Sequence, residues 1–146
     1  MSDNFYVSTP IYYVNAVPHL GTFYTTTVAD ALARYHRAQG HQTFFLTGTD
    51  EHGQKIERMA QERGISPKAY CDDIVAKFKE TWQRMEMSPD RFIRTTDDDH
   101  LAAVTSMWER LAANGDIYQA DYDGMYCVGC EGWKTEEDVV VEGGEK

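Results

Sequence analysis

The hydrophobic and polar positions in the first third of the chain switch from strand spacing to helical spacing and back. Residues 5–8 form a short apolar run, and residues 43–47 form the β-branched and aromatic run typical of a buried strand. Between them, an irregular loop over residues 9–18 leads into a helical pattern that begins near Gly21 and ends at Gly40. The pattern predicts a βαβ unit with a right-handed crossover. One face of its helix is predicted to carry Tyr24, Val28, Ala31, Leu32 and Tyr35.

Helical spacing continues through the middle of the chain. A polar helix over residues 54–63 is expected to end at Gly64, and Ser66 followed by Pro67 marks the start of the next helix. The apolar stripe of that second helix is interpreted as core packing, and it consists of Tyr70, Ile74, Phe78, Trp82 and Met85.

The remaining pattern predicts a short strand over residues 92–95, then a helix capped by Asp97 or Asp98 and closed at residues 114–115. Its inward side chains are expected to be Leu101, Val104, Trp108 and Leu111. After residue 115 the character changes: residues 117–122 and 125–127 are predicted to form a β-hairpin, and an acidic tail follows.

Composition narrows the class of protein. The 146 residues are 42% hydrophobic and 26% charged, which excludes an intrinsically disordered or low-complexity chain. No apolar run is long enough to span a membrane, and the first residues do not resemble a signal peptide, so we expect a cytoplasmic protein. The net charge of −10 makes the chain a poor nucleic-acid binder on its own.

The strongest local motif is His19-Leu20-Gly21-Thr22, which stands where a loop becomes a helix. The free N–H groups and partial positive charge of a helix N-terminus favour a phosphate group. Glycine allows a close approach to the backbone, and a histidine can donate a hydrogen bond to a phosphate oxygen. The alternative is a histidine that only caps the helix.

A second motif, residues 47–53, follows the second predicted strand at the carboxyl edge of a parallel sheet, where open α/β sheets bind ligands. The Asp50 carboxylate is suited to pair with a substrate ammonium group. Its alternative role is to cap the following helix. Glu51 and His52 are weaker candidates.

Cys127 and Cys130 form a Cys-x-x-Cys pair, which we interpret as half of a zinc site. A redox pair and simple packing are the alternatives. Cys71 lies in the apolar-striped helix and is expected to be a packed core thiol. The run of Asp97, Asp98 and Asp99 is interpreted as a cap with solvated charges rather than as a magnesium site.

Several of these stretches together resemble the N-terminal part of bacterial methionyl-tRNA synthetases. They are residues 9–15 (TPIYYVN), 18–21 (PHLG) and 44–53 (FFLTGTDEHG). Residues 126–131 (YCVGCE), with Thr135 and Glu136, resemble the start of the zinc-bearing insertion of that family. The resemblance implies an α/β fold. Residues 1–115 would be the first half of a Rossmann-type nucleotide-binding domain with parallel strands, and residues 116–146 the incomplete start of a β-rich, zinc-bearing connective insertion.

The resemblance also implies an activity and a set of site residues. The family joins L-methionine to ATP, used with Mg²⁺, and transfers the methionyl group to the methionine tRNA. His19, Gly21 and Thr22 would be the catalytic, ATP-binding positions. The methionine site would include Pro10, Ile11, Tyr13 and Asp50, and Cys127 and Cys130 would be zinc ligands.

Two departures from the family pattern qualify this expectation. Thr22 stands where the signature usually has a second histidine, and a threonine cannot carry a positive charge. The Lys-Met-Ser-Lys-Ser loop of the family does not occur in the sequence. We therefore expect an N-terminal fragment that is inactive alone and meets tRNA mainly through parts that it lacks. The alternatives are another adenylyl-transferring enzyme and a non-catalytic nucleotide-binding module.

Overall fold

The computed structural model describes residues 3–139, and its main element is a parallel sheet centred on one strand. β1 (Asn4–Ser8) and β2 (Tyr12–Tyr13) both run parallel to β3 (Gln42–Asp50), and so does β4 (Arg91–Arg94). Thr49 of β3 is paired with both Tyr12 and Arg94, so β2 and β4 lie on opposite sides of β3. The parallel α/β arrangement expected from the sequence is thus confirmed. The bounds of β4 are shifted by one residue from the predicted strand over residues 92–95.

Helix α1 (Leu20–Ala38) connects β2 to β3 and packs on the sheet through small side chains. Ala29 and Ala33 are buried against Phe45 and Val7. The five residues predicted to form its apolar face are instead exposed, Tyr24 to 70% and Tyr35 to 60%. Periodicity selects the most hydrophobic face of a helix, whereas this helix approaches the sheet on the face whose side chains are small.

A larger core lies between the sheet and the helices α2 (Gln54–Glu62) and α3 (Pro67–Arg84). The predicted stripe of α3 is confirmed as core for Tyr70, Ile74, Phe78 and Trp82, while Met85, which ends the helix, is 48% exposed. Ser66 caps α3 as predicted, because its hydroxyl accepts the Ala69 N–H at 3.2 Å. Cys71 is buried in the same core.

Helix α4 (Asp98–Ala113) differs from its prediction. The whole helix lies within the described residues and none of its side chains is buried, so the expected inward face (Leu101, Val104, Trp108 and Leu111) is wrong for this chain. Helical spacing predicts which side chains share one face of a helix. It does not predict that residues 3–139 also supply a surface that buries that face. The cap is as predicted in position, since the Asp97 carbonyl accepts the Leu101 N–H at 2.9 Å.

The chain divides into two compact units, Met1–Thr105 and Ser106–Lys146, and the division falls within α4. In the second unit, β5 (Met125–Cys127) pairs antiparallel with β6 (Gly132–Lys134), and a short 3₁₀ turn (Glu136–Asp138) follows. The predicted partner, residues 117–122, forms no strand. The cross-strand pair of Tyr126 and Trp133, with ring centroids 5.3 Å apart, favours the observed hairpin. The end of the predicted acidic tail, residues 140–146, lies outside the described residues.

None of the helices in residues 3–139 combines the length and hydrophobicity needed to cross a bilayer.

Candidate active site

His19 is the N-cap residue of α1, and its side chain closes over the start of the helix. Its Nδ1 accepts the N–H of Gly21 at 3.1 Å. A ring nitrogen that accepts a hydrogen bond carries no proton, so the proton of a neutral His19 is on Nε2. The cap therefore leaves Nε2–H as a donor for a ligand, and the capping and ligand-binding interpretations of His19 are compatible.

Gly21 gives the His19 ring the space that this arrangement needs. A Cβ at position 21 would lie 3.0 Å from His19 Cε1 and 3.2 Å from Nδ1. Such a contact is tighter than a normal van der Waals approach, so alanine would displace the ring. The glycine of the motif thus has a structural reason in this chain besides the close approach of a ligand.

Thr22 completes a reciprocal cap with His19. The Thr22 hydroxyl accepts the backbone N–H of His19 at 3.0 Å and donates to the His19 carbonyl at 2.8 Å. The residue is buried, with 7% of its surface exposed. Its hydroxyl proton is therefore used within the first turn of the helix.

One cleft of about 580 Å³ collects nearly all of the predicted ATP and methionine positions. The six that line it are Pro10, Ile11, Tyr13, His19, Gly21 and Thr22. They come from β2, from the segment before it, and from the first turn of α1. The structure thus brings these two stretches of sequence together in one cleft.

Asp50 does not line that cleft, but it lies beside it in the sheet. The parallel register pairs Tyr13 with Asp50 at the ends of β2 and β3. The alternative role of Asp50 as a helix cap is not observed, because the N-cap of α2 is Gly53, which makes no side-chain cap. Asp50 is thus placed at the carboxyl end of the central strand, next to the segment that forms the cleft.

Tyr12 is a residue of this region that the sequence motifs did not identify. Its hydroxyl lies 2.8 Å from Thr26 Oγ1 and 3.2 Å from the Thr22 carbonyl oxygen, and its ring stacks on Phe78 at 5.7 Å. It ties β2 to α1 and to the core beneath. The sequence interpretation placed Tyr13 in the methionine site but gave Tyr12 no role, since nothing in the local pattern tells which of the two tyrosines faces the core.

Glu51 follows Asp50 and is the second residue whose role emerges only from the structure. Both of its carboxylate oxygens accept from the Arg94 guanidinium, and the hydroxyls of Thr49 and Thr96 add bonds of 2.8 and 2.7 Å. Burial alone would raise the pKa of this carboxyl, but the hydrogen bonds from Arg94, Thr96 and Thr49 outweigh that effect and lower the pKa. Glu51 is thus a charged structural group beneath the strand end.

The cysteine pair belongs to the hairpin of the second unit. Cys127 ends β5, and its Sγ accepts the N–H of Cys130 at 3.3 Å. That backbone hydrogen bond, with the side chain of Cys130, lowers the pKa of the Cys127 thiol, which favours the thiolate that zinc requires. Across residues 3–139, no three His, Cys, Asp or Glu side chains are grouped as a metal site.

Comparison with known proteins decides the family. The profile of the class I tRNA synthetases (M) matches residues 5–144. The chain belongs to this family.

Among curated relatives, the methionine–tRNA ligase of Thermosynechococcus vestitus is 54% identical over 140 residues, which is 96% of this chain and 26% of the relative. That of Thermotoga maritima is 49% identical over 142 residues, 97% of this chain and 23% of the relative. The chain thus spans about a quarter of the length of these family members.

A solved structure also matches closely. The methionyl-tRNA synthetase of Mycobacterium tuberculosis bound by methionyl-adenylate has a TM-score of 0.91 and 39% sequence identity, with 97% of this chain and 28% of that chain covered. A leucyl-tRNA synthetase complex from Agrobacterium radiobacter, with a TM-score of 0.75 and 23% identity, shares the fold. These matches confirm the family resemblance on which the sequence interpretation rested.

Proposed function

We propose that this chain carries part of the catalytic site of a methionine–tRNA ligase. The observation that supports the proposal is the single cleft in which the expected ATP positions, around His19, meet the expected methionine positions, around Tyr13. The similarity to methionine–tRNA ligases and to a synthetase bound by methionyl-adenylate supports the same substrates.

The chemistry follows from the groups around the cleft. The methionine carboxylate attacks the α-phosphorus of ATP, supplied with Mg²⁺, and pyrophosphate leaves, which yields methionyl-adenylate. His19 Nε2–H and the free N–H groups of α1 would bind phosphate oxygens. Most of this catalysis is positioning and stabilisation of charge.

The methionine itself would lie against Pro10, Ile11 and Tyr13. The Asp50 carboxylate would hold its ammonium group by a charge-assisted hydrogen bond. In the second step the methionyl group passes to the 3′-terminal ribose of the methionine tRNA, which we place mainly against parts of the synthetase other than this chain. Because tRNA charging serves protein synthesis, we infer a cytoplasmic enzyme.

We further propose that Cys127 and Cys130 are two ligands of a structural zinc ion in the connective insertion. Structural zinc takes four ligands, and the hairpin supplies two of them. The 146-residue chain should therefore bind zinc weakly and without fixed stoichiometry, whereas a chain extended by some tens of residues should retain one equivalent. Tight binding of one zinc per monomeric 146-residue chain would contradict this assignment.

The experiment for the main proposal is methionine-dependent pyrophosphate exchange. It compares the 146-residue chain with a full-length synthetase that contains this segment. We expect exchange from the full-length protein alone, because the sequence has no Lys-Met-Ser-Lys-Ser loop. Robust exchange by the 146-residue chain would show that the catalytic groups are misassigned.

A variant sharpens that experiment. Loss of one donor that stabilises charge typically lowers a rate by ~10²–10³. His19→Ala in the full-length synthetase should lower adenylate formation by that order, with a smaller effect on methionine affinity. An unchanged rate would remove His19 from the site.

A further inference from the structure

The hydroxyl of Thr22 already makes two hydrogen bonds within the cap of α1. A threonine hydroxyl has one proton and two acceptor lone pairs. Its proton is given to the His19 carbonyl, and one lone pair takes the His19 N–H. To donate to a phosphate oxygen, Thr22 would have to give up its hydrogen bond to the His19 carbonyl, which would then keep only the bond from the Phe23 N–H. The geometry therefore disfavours direct contact between Thr22 and ATP.

The bonds of Thr22 converge instead on the neighbouring histidine. Thr22 holds both backbone groups of His19, while the Gly21 N–H holds its ring. These three hydrogen bonds fix the backbone, the ring orientation and the tautomer of one residue, and that residue lines the cleft.

Thr22 is itself anchored from the other side. Its carbonyl accepts from the Thr26 hydroxyl at 2.9 Å and lies 3.2 Å from the hydroxyl of Tyr12. Tyr12 is adjacent to Tyr13 on β2, the strand that is paired with the end of β3. A continuous set of hydrogen bonds therefore runs from β2 through Thr22 to His19.

We propose that Thr22 is a positioning residue for adenylate formation, which holds His19 with Nε2–H free for the nucleotide and does not itself contact ATP. The proposal rests on the proposed methionine activation, and it differs from the expectation that Thr22 binds a phosphate oxygen. It also explains how the site accommodates a threonine where a second histidine is usual, because the position serves the orientation of the remaining histidine.

The kinetic test uses Thr22→Val and Thr22→Ser in the full-length synthetase. Valine keeps the shape but loses both bonds that hold His19. The value of kcat/KM for ATP should therefore fall about 3- to 10-fold, which corresponds to the loss of one net hydrogen bond, that from His19 Nε2–H to the nucleotide. The KM for methionine should change less than about twofold, and serine should restore the ATP value. Equal losses for both substrates, an unchanged value in Thr22→Val, or failure of Thr22→Ser to restore it would overturn the proposal.

The matched control is Thr27→Val. The Thr27 hydroxyl donates to the Phe23 carbonyl at 2.8 Å in the same helix, but the residue is exposed and does not line the cleft. Its kinetics should equal those of the wild type. A loss as large as that of Thr22→Val would show a general effect of helix α1 and would count against positioning.

A second readout does not depend on activity. In ¹⁵N-histidine-labelled full-length protein, the His19 signals, assigned through His19→Gln, should show the Nε2–H tautomer in the wild type and in Thr22→Ser, and averaged tautomers in Thr22→Val. An unshifted His19 in Thr22→Val would contradict the proposal. Absence of pyrophosphate exchange in the wild type would refute the proposed function instead, and the tautomer result would still decide the role of Thr22.

Discussion

The Glu51 carboxylate is entirely buried, and the Arg94 guanidinium binds both of its oxygens, at 2.6 and 2.8 Å. The pair links the residue that follows β3 to the end of β4. The Arg94 guanidinium also forms an ion pair with Asp72 of α3, at 2.7 Å. The segment that begins with Asp50 is therefore fixed from below by a charged pair whose members are 43 residues apart in sequence.

Glu51→Gln should strongly destabilise the chain. It leaves Arg94 largely buried without its main counter-charge, and breaking a buried pair in this way costs about 3–5 kcal/mol. Urea unfolding measures the loss. Glu80→Gln, an exposed change on α3, is the control and should stay within about 0.5 kcal/mol of the wild type. A similar small effect for Glu51→Gln would mean that the pair contributes little.

The same pair predicts a dependence on pH. The folded state lowers the pKa of Glu51 from its usual 4.5, so its stabilisation is present above about pH 4.5 and is lost as the pH falls through the lower folded value. The difference in unfolding free energy between wild type and Glu51→Gln should stay constant from pH 7 to 5 and shrink at lower pH. A difference that is the same at pH 3.5 and pH 7 would disprove this linkage.

Gly48→Ala should disrupt the sheet. A Cβ at this position would lie 2.0 Å from the carbonyl oxygen of Ile93, which is backbone of the neighbouring strand β4 and cannot move aside cheaply. We expect a loss of about 3 kcal/mol or more, or failure to fold.

Gly40→Ala supplies the contrast for that prediction. Gly40 has a φ of 81° and open space around its Cβ position, so the strain of the left-handed backbone should cost only about 1–2 kcal/mol. Denaturant midpoints compare the two variants. If Gly48→Ala were no worse than Gly40→Ala, the close approach of β3 and β4 would not be limiting.

Asp50→Ala in the full-length synthetase should weaken methionine binding more than ATP binding. A lost charge-assisted hydrogen bond to the ammonium group corresponds to about 10- to 100-fold in affinity. Calorimetric titration with each substrate separates the effects, and Asp50→Asn tests whether charge or shape matters. Equal weakening of both substrates would assign Asp50 a structural role.

Cys71 and Cys127 should differ in reactivity. Burial raises the pKa of Cys71 to about 11, and the charge of Glu51 adds to the effect, whereas Cys127 has a lowered pKa in the hairpin. With iodoacetamide at pH 8 and no zinc, Cys127 should react well ahead of Cys71, and Cys71 should react once urea unfolds the chain. Rapid modification of Cys71 in the folded chain would show that its core opens readily.

The sequence predicted those parts of the fold in which local pattern and packing coincide. The stripe of α3 is both the most hydrophobic face and the buried face, so Tyr70, Ile74 and Phe78 were placed correctly. In α1 the two faces differ, because Ala29 and Ala33 pack against the sheet while the larger side chains point away. Periodicity cannot distinguish these cases.

In the candidate site, too, some residues could be predicted from local sequence and others could not. The motifs around His19 and Tyr13 were recognisable because each is a compact stretch of sequence. Glu51 and Arg94 were not paired by any local pattern, since their contact depends on the register of β3 against β4. The capping role of the Thr22 hydroxyl likewise depends on the helix beginning at Leu20, a detail finer than the periodicity resolves.

The position of Tyr12 has a consequence for how this region can evolve. Its ring is part of the core, stacked on Phe78 and beside Trp82, while its hydroxyl supports the first turns of α1. Tyr12 and Phe78 therefore belong both to the lining of the cleft and to the hydrophobic core. A substitution that repacks the core around Tyr12 would therefore also change the cleft. Such a substitution would need a second one that keeps the Tyr12 hydroxyl in its place.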